Sequence, residues 1–225
     1  SADESIDRAW QAKLAERGKW WSLQPMSSSQ PPKIPGATNP VDRFVQARLR
    51  KAGLSPAPAA NPNVLLRRLA FILTGLPPEP PTTAAFAKAW SQNPAQSVAN
   101  FTDHLLDSPH FGERFARHWM DVVRYTDTYG YEWDNPAKGA WRYRDYLIRA
   151  FNQDVGFDQL VREQLAGDLV PTPRINETEG LNESLIGPMF YHFGEHRHGD
   201  SLNFNGIHQE MLNNKIDAFS KAFLA

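Results

Sequence analysis

Apolar residues recur three and four positions apart along most of this chain, in runs closed by glycine or proline, the signature of successive amphipathic helices. Residues 3–17 carry Ile6, Trp10 and Leu14 on one stripe and stop at Gly18. The adjacent Trp20 and Trp21 predict an extended segment pinned by aromatic burial, and Pro25 to Pro35 reads as a serine- and proline-rich linker. Asn39-Pro40 then pairs a capping side chain with a first-turn proline, opening a helix that carries Val41, Phe44, Val45 and Leu49 as far as Gly53. The same signal recurs at Asn61-Pro62, ahead of Leu65, Leu66, Leu69, Ile72 and Leu73, and at Ser108-Pro109. Between them, helices are predicted over 82–90 and 95–107.

The helix that starts at Ser108-Pro109 is predicted to run to Thr128, with Phe111, Phe115, Trp119, Val122 and Val123 on its apolar side. An acidic, aromatic loop follows, then helices over 140–151, 156–166 and 205–225, the last with Ile207, Met211, Ile216, Phe219 and Phe223 as a stripe. No segment alternates with period two as a strand does, and residues 169–180 read as irregular. The fold class is therefore all-α: an irregular multi-helix bundle with long Pro-rich connections and an N-terminal arm. The expected division is an arm over 1–38 and a helical domain over 39–225.

Composition narrows the chemistry. The chain has 225 residues, 41% hydrophobic and 22% charged, close to globular averages, so it can bury a sizeable core. A net charge of −1 gives no basic field to draw it to nucleic acid or anionic lipid, and no apolar run approaches the length of a membrane span. Cysteine is absent, which excludes disulfides, thiolate zinc sites, cysteine nucleophiles and thioether attachment of haem within these residues. There is no phosphate-binding loop, dinucleotide glycine fingerprint, nucleophile elbow or EF-hand loop.

Four groups of residues could carry function. Arg114, His118, Asp121, Arg124 and Tyr125 recur at helical spacing, where a carboxylate can orient an imidazole and guanidiniums can hold an anion; the same spacing also describes a solvated helix face. Tyr129, Tyr131, Glu132, Trp133 and Asp134, with Trp141 and Arg142 at the next helix, combine ring planes and carboxylates in a way that suits sugars, or a plug between helices. Arg142, Arg144 and Arg149 could pair with the acids of that preceding loop. Four of the 7 histidines fall late in the chain, at His192, His196, His198 and His208. His192, His196 and His198 are the metal-ligand candidates, without the spacing of a helical zinc motif.

Several long motifs in fixed order, KWWSLQP, NPVDRFVQARLRKAGLSPAP, LLRRLAFILTGLPPEP, SPHFGERFARHWMDVVRY, WRYRDYLIRAFN and FDQLVREQLAGD, resemble the planctomycete-type cytochrome-like family, in its second cytochrome-associated domain, a domain of unknown function. The resemblance implies a piece of a longer exported protein, periplasmic or at the cell surface, that shares its chain with cytochrome-like or glycan-binding neighbours. It also implies a Cys-x-x-Cys-His motif closely following the last helix, so the chain is expected to stop short of it. A c-type haem is thus expected in the full-length protein and none is covalently held here. His208, His196, His198 and Met211 are the axial-ligand candidates, His208 first. The expected function is haem-linked redox or electron transfer, with a glycan-binding or glycan-cleaving module, or a structural scaffold, as alternatives.

Overall fold

A computed structural model describes residues 2–130, 134–193 and 205–224. The chain divides into two compact units, 1–59 and 60–225.

The first unit contains α1 (Ala2–Arg17), a 3₁₀ turn at Trp21–Leu23 and α2 (Pro40–Lys51). Asn39 caps α2 by accepting the Val41 N–H at 2.8 Å, as its sequence position predicts. Gly53 ends the helix at φ +67°, with the Leu54 N–H returning to the Leu49 carbonyl at 2.9 Å. The tryptophans remain exposed, Trp20 at 61% and Trp21 at 89%.

The second unit begins with α3 (Pro62–Leu73), α4 (Pro80–Gln92), α5 (Pro94–Leu106) and α6 (Pro109–Val122). All four start on proline, whose missing N–H costs nothing in a first turn. Asn61, Asn93 and Ser108 cap α3, α5 and α6 through their side-chain oxygens. Leu66, Ala70, Phe86, Phe101 and Leu105 of α3–α5 form one apolar core.

A larger core joins α6 to α7 (Trp141–Asn152), α8 (Phe157–Ala166), a 3₁₀ helix at Gly187–His192 and α9 (Asn205–Phe223). Tyr143, Tyr146 and Leu147 are fully buried at its centre. On α6 the fully buried positions are Gly112 and Ala116, whereas Phe111, Phe115 and Trp119 are only partly covered. A Cβ on Gly112 would lie 2.4 Å from the Ile148 carbonyl oxygen and 2.6 Å from the Asn152 side chain. Glycine therefore lets α6 and α7 touch backbone to backbone, and the Gly112 N–H donates to Asn152 Oδ1 at 2.8 Å. Gly187 does the same against α8, where a Cβ would meet the Glu163 carbonyl oxygen at 2.3 Å.

Besides the exposed Trp20 and Trp21, which were expected to be pinned by burial, two features of the second unit depart from the sequence expectation. Helix α6 stops at Val122, because Arg124 takes the left-handed conformation at φ +58° and the Tyr125 N–H turns back to the Met120 carbonyl at 2.9 Å. Residues expected to be irregular form a two-residue antiparallel pair, β1 (Ile175–Asn176) with β2 (Leu181–Asn182), turned by Gly180 at φ +64°.

Candidate functional site

The α6 candidates share a helix but not a site. Arg114 points to the turn after α3, where Gly75 lets its side-chain stem approach the backbone. His118 is exposed and meets Phe115 edge-on at 5.8 Å, and Asp121 is also exposed. Arg124 lies past the helix end and donates to the Asn214 carbonyl at 3.3 Å and to the Asp217 carboxylate, tying this end of α6 to α9. The hydrogen bond from Lys221, seconded by Arg124, holds the Asp217 carboxyl below its ordinary value. Tyr125 turns inward and donates to Asp127 Oδ1 at 2.6 Å. Burial, reinforced by that carboxylate, pushes its phenol well above the usual range.

From Tyr125 a set of rings crosses the core to α9. Tyr125 stacks on Tyr143 at 6.3 Å, and the Trp119 Nε1–H donates to the Tyr143 hydroxyl at 3.2 Å. Trp119 meets Phe223 edge-on at 6.0 Å, and Phe223 contacts Phe219 at 5.3 Å and Phe190 at 5.6 Å. Tyr143 also contacts Tyr146 at 5.9 Å. Farther up α9, His208 is exposed and Met211 is half-buried.

His208 and Met211 lie one turn apart on α9, so their side chains would approach a bound haem from the same side. His208 and Met211 would therefore hold such a group through one of the two side chains and not through both. Of the two, His208 is exposed and makes no hydrogen bond or ion pair with a described residue. His192 is exposed at the end of its 3₁₀ helix, while His196 and His198 lie outside the described residues. No group of three or more metal-ligating side chains forms among the described residues.

The loop after α6 closes as a hairpin-like turn: Tyr129 N–H donates to the Asn135 carbonyl at 2.8 Å and Ala137 N–H to the Asp127 carbonyl at 2.9 Å. Asp134 is exposed in the left-handed region at φ +44°, and Tyr131, Glu132 and Trp133 lie outside the described residues. Trp141, 51% exposed, borders a cavity of ≈ 180 Å³ with Arg142, Arg149, Glu179 and Leu181. The Arg142 guanidinium lies 5.5 Å from the Trp141 ring centre. A larger cavity, ≈ 530 Å³, opens where α3, α4, α5 and α6 meet and is bordered by Glu79, His104, Asp107 and His110.

Behind Trp141 runs a buried polar network that the sequence reading missed. Glu163, with no exposed surface, accepts a two-pronged hydrogen bond from Arg174 at 3.2 and 3.0 Å. It also accepts from Tyr146 at 2.8 Å, Gln159 at 3.1 Å and Ser184 at 3.1 Å. Burial pushes the Glu163 carboxyl up, but the Arg174 fork, Gln159 and Tyr146 together bring it below its ordinary value. Beside it Glu183 accepts a second fork, from Arg149 at 2.5 and 3.0 Å. Arg149 thus pairs with acids far downstream rather than with the loop before α7, and Arg144 pairs with its neighbour Asp145 at 2.9 Å. One signal was present: Leu160, Glu163, Gln164 and Gly167 fall at core-facing spacing, so two polar residues sit where an amphipathic helix buries its stripe. With its hydrogen bonds satisfied, this network holds Arg149 at the wall of the cavity that Trp141 borders.

Together these features define a cysteine-free helical domain with an aromatic core reaching α9 and a polar network bracing one aromatic-edged cavity. Residues 40–225 match the family PSCyt2, protein of unknown function (DUF1549), and the chain belongs to that family. No curated protein and no solved structure matches it.

Proposed function

We propose that this chain is the helical part of an exported cytochrome-like protein and serves haem-linked electron transfer. Family membership supports the cytochrome-like reading, together with neighbouring domains on a longer polypeptide and a periplasmic or cell-surface location. The division at residue 38 belongs to the same reading, since the family match begins at residue 40. Among the described residues no helix is long and apolar enough to cross a membrane.

The observation that carries the reading is the ring path from α9 to Tyr125. A c-type haem supplies one-electron exchange at its iron. The chain's own part is to offer His208 as an axial ligand and to place oxidisable rings close together. Trp119 and Tyr143 share a hydrogen bond, and Tyr143 stacks on Tyr125. Were Tyr125 oxidised, its electron would pass by way of Tyr143 and Trp119 to the haem iron and its phenolic proton to Asp127, so that no cation would be left on the half-buried ring. Titrating the protein with a haem peptide whose sixth position is open tests the ligand role. The low-spin band should form with the native chain, persist in Met211→Leu and vanish in His208→Ala; equal spectra for all three would refute it.

A second reading, glycan binding, is favoured by the exposed Trp141 at the rim of its cavity beside Arg142 and Glu179. An aromatic face with flanking charged hydrogen-bonding groups suits a sugar ring, and Tyr129, Tyr131, Glu132, Trp133 and Asp134 are its neighbours in sequence. Glycan arrays with the native chain and Trp141→Ala check it, and silence across neutral and sulfated polysaccharides would end it.

A further inference from the structure

Between the turn that ends α3 and the face of α6 lies a cavity of ≈ 140 Å³ bordered by Thr74, Gly75, Leu76, Glu113, Arg114 and Arg117. Arg114 Nε is buried there without a hydrogen-bond partner, the single buried side-chain nitrogen or oxygen so placed among the described residues. Arg117, one turn further along α6, borders the same cavity and makes no ion pair or hydrogen bond with a described residue. The acid on the rim, Glu113, is engaged by His110 Nδ1 at 2.8 Å. Thr74 is occupied as well, its hydroxyl donating to the Ala70 carbonyl at 2.8 Å and accepting the Leu76 N–H at 3.3 Å. What remains without an acceptor is the buried Arg114 Nε–H at the cavity wall, and a buried donor that gives up water for nothing is costly enough to be rare in folded proteins.

The backbone is shaped to hold Arg114 in this position. Gly75 adopts φ +74°, and a Cβ there would come 3.3 Å from Arg114 Cδ. The turn therefore guides the arginine stem past it and leaves the guanidinium at the cavity wall. The C-terminal end of α3 attracts the cation to this place, but no α3 carbonyl accepts from Nε.

We propose that this cavity binds a small oxyanion, a phosphate, sulfate or carboxylate group, held by Arg114 and Arg117 through charge-assisted hydrogen bonds. The site is independent of the electron-transfer and glycan readings. Its closeness to the backbone turn and its size favour a single anionic group over a whole sugar or nucleotide.

Isothermal titration of the full chain with sodium phosphate, sodium sulfate and sodium acetate, each against sodium chloride at equal ionic strength, tests the proposal and ranks the anion classes. Arginine Nε–H NMR signals followed in the same titrations locate the binding. Saturable binding is expected for at least one oxyanion, with the Arg114 Nε–H signal moving. Arg117→Gln, an exposed position whose change leaves the fold intact, should weaken binding by about tenfold or more, and Arg114→Lys should do likewise. No response beyond the chloride control, or native affinity in both variants, would overturn the proposal.

Discussion

Replacing Arg174 with methionine isolates the energetics of the polar network behind α7. The guanidinium supplies two of the hydrogen bonds to Glu163, at 3.0 and 3.2 Å, and lies 5.5 Å from the Tyr146 ring. Methionine keeps much of the stem's volume but leaves a fully buried carboxylate with only Tyr146, Gln159 and Ser184 as donors. Stripping one partner from a buried pair costs about 3–5 kcal/mol. In a chain of this size that corresponds to a melting temperature lower by about 6–20 °C.

The pH dependence carries a sign. Glu163 titrates below its ordinary value in the native protein, so its contribution is complete above the unfolded carboxyl pKa of about 4.3 and is lost as pH falls through the lower folded value. Without Arg174 burial raises that carboxyl instead, and protonation relieves the variant on acidification. Urea unfolding at pH 7 and pH 5 should show the larger deficit at pH 7. Adding Glu163→Met to Arg174→Met should recover part of the loss, since the uncompensated charge is then gone. A deficit under about 1 kcal/mol, or one that is flat between the two pH values, would refute the account.

Two further outcomes follow from the packing of α6. Gly112→Ala should destabilise by about 1–3 kcal/mol, seen as a lower urea midpoint with unchanged slope, because its methyl would strike the backbone of α7. Arg124→Gly should be more stable than Arg124→Ala by about 1 kcal/mol in thermal unfolding, since both lose the tie to Asp217 and only glycine relaxes the left-handed backbone.

Much of the helical layout was legible because its start signals are local. Asn39, Asn61 and Ser108 each precede a proline, and each caps a helix as read. Asn93-Pro94 carried the same signal for α5. The end of α6 was not legible, since nothing near Arg124 marks a left-handed residue as a glycine would; the turn is secured by bonds to Asn214 and Asp217 on a distant helix. The face of α6 was read only in part: Trp119 and Val123 reach the core as expected, but Gly112 and Ala116 hold the closest contact because they are small, and an apolar stripe is read from large residues. The polar candidates spread out because Arg114 and Arg124 sit near opposite ends of that helix and meet different partners, α3 and α9. The forks of Arg149 on Glu183 and Arg174 on Glu163 depend on tertiary approach, which leaves only the misplaced polarity of Glu163 and Gln164 as a trace in sequence. Tyr131, Glu132, Trp133, His196 and His198 belong to stretches outside the described residues.

The most direct measurement of the electron-transfer account is an optical spectrum of the polypeptide as its gene encodes it, with any residues beyond Ala225, expressed for export with haem maturation. The account predicts a Soret band that shifts on reduction, and a change of axial ligation in His208→Ala. A protein that purifies folded with no Soret absorption would contradict it.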